Sequence, residues 1–152
     1  MTRAGDYVRP PGVTAFYHDD ASLVQLTPTT YEAGSPEVGV FFIAPPSGRV
    51  RLTIGGGGRD NGAAPFDRVF LAPQLFLENS SGQEIIAPAV GQRGFATPAQ
   101  DSEFQYGCRV SLIEGLIPGR QYYIRVMHQT LPGTDPDTAD IASRDVIVIP
   151  VP

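Results

Sequence analysis

The chain contains no tryptophan and only one cysteine, Cys108, among its 152 residues. A single cysteine cannot form an internal disulfide, so nothing in the sequence requires an oxidising compartment. Lysine is also missing, and all 11 basic residues are arginine. We attribute this first to the coding bias of a GC-rich genome. The alternative is that the planar, multi-donor guanidinium was favoured for contacts between subunits.

Long apolar runs are absent as well. No stretch has the length and hydropathy of a membrane span, and the first 12 residues lack the apolar segment of a secretory signal. The sequence therefore predicts synthesis in a cytoplasm and no membrane contact. The formal net charge is −5 and no basic cluster is visible, which predicts no direct contact with nucleic acid.

Glycine and proline are abundant, with 17 and 15 residues, and they interrupt any long helical pattern. This spacing is typical of short strands joined by tight turns. We therefore predict an all-β protein, an antiparallel β-sandwich of jelly-roll-like or immunoglobulin-like type, formed by residues 13–152 as one domain.

An extended N-terminal arm, residues 1–12, is predicted to precede the sandwich. The run of two prolines and a glycine at its end favours an extended or polyproline-like conformation. An extended arm suits assembly with neighbouring molecules. The candidate assembly residues in this arm are Tyr7, Val8, Arg9, Pro10 and Pro11.

Strand patterns recur along the rest of the chain. In residues 49–54, Val50, Leu52 and Ile54 alternate with polar side chains and should face the core. Together with the turn at residues 45–48, they predict a hairpin with residues 38–44, a run apolar enough to be covered on both faces. The other predicted strands are residues 13–17, 22–26, 68–71, 74–78, 84–87, 103–113, 121–129 and 145–151, with loops at 27–36, 88–101 and 130–140.

Four consecutive glycines occupy residues 55–58. Glycine lets backbone amides approach an anion closely, so one interpretation of this segment is a phosphate-binding loop. The segment lacks the Gly-Lys-Ser/Thr ending of such loops, and no helical pattern follows it. We therefore predict that residues 55–62 form a flexible loop.

Three carboxylates, Asp135, Asp137 and Asp140, lie close together in the predicted loop at residues 130–140. Hard oxygen ligands at short spacing are typical of calcium sites. The spacing departs from the helix-loop-helix calcium pattern, and Pro136 limits the wrapping of the backbone. No cofactor or metal is expected, although a calcium site in this loop remains open.

A thiol nucleophile with a histidine base could be built from Cys108 and either His18 or His128. A cysteine within a strand is more often a small buried hydrophobe, and His128 continues the core face of its strand as a hydrogen-bonded structural histidine would. The common nucleophile-elbow, zinc-helix and paired-cysteine motifs are absent. We expect a protein that is not an enzyme, with a small hydrolase as a weaker alternative.

The aromatic residues offer a second kind of binding surface. A sugar-stacking platform could be assembled from exposed tyrosines and phenylalanines. The absence of tryptophan counts against this platform, because aromatic residues on strands usually pack in the core. The candidate residues are Tyr7, Phe16, Tyr17, Tyr31, Tyr106 and Tyr123.

Residues 116–126 read as a turn followed by a half-buried strand, in which Tyr122, Ile124 and Val126 face the core. This segment resembles the tyrosine corner of fibronectin type III and immunoglobulin-like sandwiches. The resemblance implies that the Tyr122 hydroxyl bonds back to the chain before the strand. The matching corner residues are Leu116, Pro118, Gly119 and Tyr122.

A wider resemblance covers the chain from about Val38 to the end, and residues 44–54, 115–128 and 144–150 carry it. Their pattern is similar to small β-rich structural proteins of phages that infect GC-rich actinobacteria. The resemblance implies a virion component made in the host cytoplasm, and first a capsid decoration protein that binds the assembled shell. Its partners would be the major capsid protein or other virion proteins, and it would self-associate. The alternative is a tail or fibre module that binds host-surface glycan.

Overall fold

The computed structural model describes residues 12–27, 29–60, 68–97, 103–131 and 139–152. Within these ranges the chain forms ten strands and one short helix. Their bounds are β1 (Ala15–Asp19), β2 (Leu23–Leu26), β3 (Gly39–Ile43), β4 (Val50–Asp60), β5 (Arg68–Leu77), β6 (Glu84–Ile86), α1 (Val90–Arg93), β7 (Phe95–Ala96), β8 (Gln105–Ile113), β9 (Gln121–Leu131) and β10 (Ala139–Pro150).

The strands form two antiparallel five-stranded sheets. Sheet A has the order β1-β10-β4-β8, with β2 also paired to β10. Sheet B has the order β3-β9-β5-β6, with β7 also paired to β5. The predicted all-β antiparallel sandwich is confirmed, whereas the predicted arm, apart from Gly12, lies outside the described residues.

The core lies between the two sheets and follows from the period of two in each strand. Val50, Leu52 and Ile54 of β4 are buried, as their alternation predicted. They pack in one apolar cluster with Ile124 of β9 and Val148 of β10. The last strand is central in sheet A, with β4 on one side and β1 and β2 on the other. Val146 and Val148 are buried in the core, whereas Ile147 and Ile149 lie on the outer side and are only partly buried.

The hairpin predicted around residues 45–48 is wrong, because this turn crosses from one sheet to the other. β3 pairs with β9 in sheet B, whereas β4 pairs with β8 and β10 in sheet A. Pro45 and Pro46 have no N–H group with which to begin a ladder between the two flanking strands. The turn bonds instead to the chain near the tyrosine corner, where Leu116 donates its N–H to Gly48 O at 3.1 Å.

The flexible loop predicted at residues 55–62 is also wrong for its described part, since the four glycines lie within β4 and pair on both sides. Their missing side chains leave room for neighbours. Leu71 packs where a Cβ on Gly56 would lie, the Tyr106 ring covers Gly57, and Val69 covers Gly58. Glycine here gives space for close packing rather than freedom to move.

Three further boundaries differ from the prediction. The strands predicted at 68–71 and 74–78 are one strand, β5, which continues through Pro73. β7 pairs with Leu71 and β6 with Leu75, so Pro73 lies between them and has no ladder bond to donate on that side. The predicted loop at 88–101 contains α1 and β7. The predicted loop at 130–140 begins and ends within strands β9 and β10.

Candidate functional site

The tyrosine corner lies at the start of β9. The Tyr122 hydroxyl accepts the N–H of Ile117 at 2.9 Å, five residues earlier. The Tyr122 ring stacks on Phe42 with 5.6 Å between ring centroids, and Leu116 is buried beside it. Between them, Pro118 begins the turn and Gly119 has a φ of +76°, a conformation that glycine adopts without strain. These contacts fix the connection between β8 of sheet A and β9 of sheet B against Phe42.

Asp140 was predicted to lie in the loop at residues 130–140. It lies instead in β10, where it is buried. Its Oδ2 accepts from Nε and Nη2 of Arg59 at 3.0 and 2.8 Å, and its Oδ1 accepts the N–H of Gln25 at 2.9 Å. Both oxygens are therefore bound by the chain itself. Asp135 and Asp137 lie outside the described residues. Over the described ranges, no group of three or more His, Cys, Asp or Glu side chains could hold a metal ion.

The structure does not bring Cys108 and a histidine together. Cys108 is exposed, so the prediction of a buried cysteine is wrong. His18 lies on the same side of sheet A, in the cross-strand row His18, Asp145, Gly55 and Cys108. Three strand spacings separate the ends of this row by about 14 Å, which is too far for a base to reach the thiol.

His18 and Asp145 form an exposed pair on the outer side of sheet A. Nδ1 of His18 hydrogen-bonds Oδ1 of Asp145 across β1 and β10. This hydrogen bond, and after it the negative charge of Asp145, raises the pKa of His18 above its ordinary value.

His128 is buried between the sheets, and neither ring nitrogen has a hydrogen-bond partner among the described residues. The predicted hydrogen-bonded histidine is therefore wrong in its bonding, though right in its burial. Burial, and after it the positive charge of Arg144, lowers the pKa of His128 to about 4. Arg144 is itself fully buried and donates to the carbonyls of Ala33 and Pro36 at 3.0 and 2.8 Å.

The outer face of sheet B is covered by its own side chains. Arg125 donates from Nη1 to Glu37 and from Nε to Gln74, both at 2.8 Å, and its guanidinium lies 5.2 Å from the Phe76 ring centroid. The Tyr123 hydroxyl also bonds Glu37. These mutual contacts leave the described part of this face with few unsatisfied groups for a partner.

The outer face of sheet A is different, because it carries apolar side chains on three of its strands, β1, β10 and β8. The register places Phe16, Ile147, Thr53 and Val110 in one cross-strand row. Phe16 is 57% exposed and Val110 is 56% exposed. We call this surface the apolar face, and its apolar members are Phe16, Ile147, Ile149, Tyr106, Val110 and Leu112.

The aromatic residues predicted as a sugar platform do not form one surface. Phe16 and Tyr106 are the exposed members, on β1 and β8 at opposite edges of sheet A. Tyr123 is buried on sheet B, and Tyr31 has a buried hydroxyl. Tyr17 packs against the core, and Tyr7 lies outside the described residues.

The apolar face was not predicted from the sequence. Its signal was present in residues 106, 108, 110 and 112, which alternate as Tyr, Cys, Val and Leu within a correctly predicted strand. Alternation alone would place such residues in the core. Only the strand order shows that they point away from it.

No protein-family model matches the chain. No curated protein matches its sequence either. In the described ranges, no helix has the length and apolarity needed to cross a membrane.

Proposed function

We propose that this chain is a non-enzymatic structural protein of a bacteriophage virion, and that it decorates the assembled capsid. The observation that carries the proposal is the apolar face of sheet A. A sheet face with exposed valine, leucine and phenylalanine side chains suits contact with another protein surface. The phage resemblance of residues 44–54, 115–128 and 144–150 supports the virion setting.

The contrast between the two sheets supports the choice of surface. Sheet B binds its own polar groups in a network around Arg125 and Glu37, whereas one row of the apolar face carries Phe16, Ile147 and Val110. Its charged groups are Arg51 on one row and the His18 and Asp145 pair on another. Arg51 lies between Ile149 and Leu112 in its row, so a partner surface must match charged as well as apolar groups.

In the proposal, the N-terminal arm is the second part of the chain that contacts the capsid. It joins the described domain at Gly12, beside a cleft of about 400 Å³ lined mainly by prolines, including Pro45 and Pro150. β1, which follows directly, carries Phe16 of the apolar face. Gly12 and Phe16 are thus only four residues apart along the chain, and in the proposal the arm lies along the shell while the apolar face rests on it.

The test is co-sedimentation of the purified chain with expanded capsids that lack it. We expect saturable occupancy for the natural chain and loss of binding when residues 2–12 are deleted. Phe16→Ser should weaken binding, because it removes the aromatic side chain from β1 without touching the core. The matched control is Ile85→Ser, which removes an exposed apolar side chain from sheet B. Unchanged occupancy for both the deletion and Phe16→Ser would contradict the proposal.

A second candidate is a tail or fibre module that binds host-surface glycan. Tyr106 favours it, since its side chain is 68% exposed and its ring centroid lies 6.4 Å from that of Phe104. Adjacent exposed aromatic rings can stack on sugar faces. Glycan-array binding that disappears with Tyr106→Ala, together with no affinity for capsids, would replace the first proposal with this one.

A further inference from the structure

Strand β8 is an unusual edge of sheet A. It has nine residues and, in the described part of the chain, pairs only with β4. The other edge strands are shorter, with five residues in β1 and β3, four in β2 and three in β6. A long edge strand presents a row of backbone donors and acceptors to which another strand can pair.

Proteins usually protect such edges with proline, lysine, a bulge or a very short strand. β8 has none of these, because its sequence is QYGCRVSLI and its register with β4 continues without a shift. Its one charged side chain, Arg109, points away from the apolar face. It donates to the carbonyls of Gln92 and Gly94, both at 2.9 Å, and so remains beside α1.

We propose that two copies of this chain associate through β8, which pairs antiparallel with β8 of the second copy and places Cys108 opposite Cys108. The two five-stranded A sheets then form one continuous sheet, and the apolar faces of both copies lie on the same side of it. This pairing does not depend on the capsid role.

The side chains favour this register over those centred on Arg109 and Val110. In an antiparallel pair, residues that lie opposite each other point to the same side of the sheet. A twofold axis that keeps the two apolar faces on one side must therefore lie midway between one residue and the same residue of the second copy. An axis at Arg109 would place two arginines opposite each other, which is destabilising. An axis at Val110 would place Tyr106 opposite Glu114.

An axis at Cys108 avoids both conflicts. It pairs Tyr106 with Val110 of the second copy, an aromatic and β-branched pair of the kind that stabilises sheets. It also places Arg109 opposite Gly107 of the second copy. Because Gly107 has no side chain, the Arg109 guanidinium keeps its hydrogen bonds to the carbonyls of Gln92 and Gly94. Residues 106–110 of each copy then pair along the edge.

The first experiment measures the mass of the full chain in solution over a wide concentration range under reducing conditions. We expect a reversible dimer. Val110→Lys should weaken dimerisation by roughly tenfold or more, because each dimer loses two cross-strand apolar pairs and gains two exposed ammonium groups. The matched control, Ile85→Lys, should dimerise like the natural chain, and circular dichroism should show that both variants fold.

The second experiment tests the register by cysteine cross-linking with copper(II) phenanthroline as the oxidant. Opposite residues in an antiparallel pair lie about 4.5 to 5.5 Å apart at Cα, within the range that a disulfide spans. Cys108 should therefore cross-link two natural chains. In the Cys108→Ser background, Tyr106→Cys with Val110→Cys should restore cross-linking, whereas Val110→Cys alone should not, because its two copies would be about 13 Å apart.

Other outcomes would overturn the proposal. A chain that stays monomeric at all concentrations would do so, as would a dimer that Cys108 does not cross-link. The arm is the competing occupant of this edge. If deletion of residues 2–12 abolished the dimer while Val110→Lys retained it, the association would be arm exchange, and pairing through β8 would be rejected. Capsid binding is read separately with Phe16→Ser, so failure of one proposal leaves the other measurable.

Discussion

At the scale of single residues, Tyr122 shows how one hydroxyl can hold the end of a sandwich. Its oxygen accepts the N–H of Ile117, a backbone group in the irregular segment between β8 and β9. The ring is buried against Phe42 in either case, so the hydroxyl bond can be removed without a cavity. The contribution of this bond is therefore measurable by itself.

Tyr122→Phe should lower the free energy of unfolding by about 1 kcal/mol, the usual net value of one intramolecular hydrogen bond with a buried acceptor. Urea denaturation at neutral pH measures the change. Tyr106→Phe is the matched control, because Tyr106 is largely exposed and should leave the midpoint unchanged. Equal midpoints for Tyr122→Phe and the natural chain would show that the corner is held by packing alone.

The two histidines are a second residue-scale contrast, since the chain has no others. Asp145 raises the pKa of His18, whereas burial beside Arg144 lowers the pKa of His128 to about 4. Proton NMR of the imidazole rings should show one histidine that titrates above pH 6.5 and one that titrates well below it. Asp145→Asn should return only the first towards the ordinary value. Two histidines with ordinary pKa values would contradict both assignments.

At the scale of elements, the sequence predicted where strands lie better than how they pair. Alternation identified residues 49–54 and the core face of β9, because side chains of a half-buried strand must alternate. The pairing of β3 and β4 could not be read in this way, since a short turn can either close a hairpin or cross between sheets. The glycines of β4 have no apolar side chains, so the strand signal stopped at Ile54 although the ladder continues to Asp60.

The glycine segment of β4 gives the element-scale prediction. A Cβ on Gly56 would lie 2.6 Å from both Leu71 Cδ1 and the carbonyl oxygen of Ser143, whereas one on Gly55 would meet its nearest atom, Asp145 Oδ2, at 3.3 Å. Gly56→Ala should therefore destabilise the protein by about 1 to 3 kcal/mol, the usual cost of overpacking. Gly55→Ala, the matched control in the same strand, should lie within about 0.5 kcal/mol of the natural chain. Thermal denaturation of both variants measures the difference, and equal effects would contradict the close packing.

The apolar face also belongs to the element scale. The sequence placed β8 correctly but could not show which of its faces is outside, because that depends on β4 being its neighbour and on the absence of a third layer over the described part of sheet A. The candidate site was therefore hidden in a pattern typical of a core strand. The arm and the acidic residues Asp135 and Asp137 stay predictions.

At the scale of the whole molecule, the sandwich encloses Arg144 and His128 in one region, where the negative charge of Asp19 acts on Arg144. Arg144 is bonded by backbone carbonyls at residues 33 and 36, and His128 lies close to it with two unpaired ring nitrogens. Protonation of His128 would place a second buried positive charge in the same region. The folded state therefore opposes that protonation, and stability becomes coupled to pH.

The stability of the whole molecule should fall as the pH is lowered from about 6.5 to 4. The folded-state pKa of His128 is about 4, against an ordinary value of 6.5, so in this window the unfolded chain binds a proton that the folded chain does not. The loss attributable to His128 should reach about 3 kcal/mol near pH 4, because each unit of pKa difference corresponds to ~1.4 kcal/mol.

Carboxylates also titrate there, so the measurement compares the natural chain with His128→Phe by urea denaturation at pH 7 and pH 4.5. The variant should lose less stability than the natural chain between the two pH values, whereas the control His18→Gln should retain the loss caused by His128. Parallel losses in the natural chain and His128→Phe would show that the buried histidine does not govern this pH dependence.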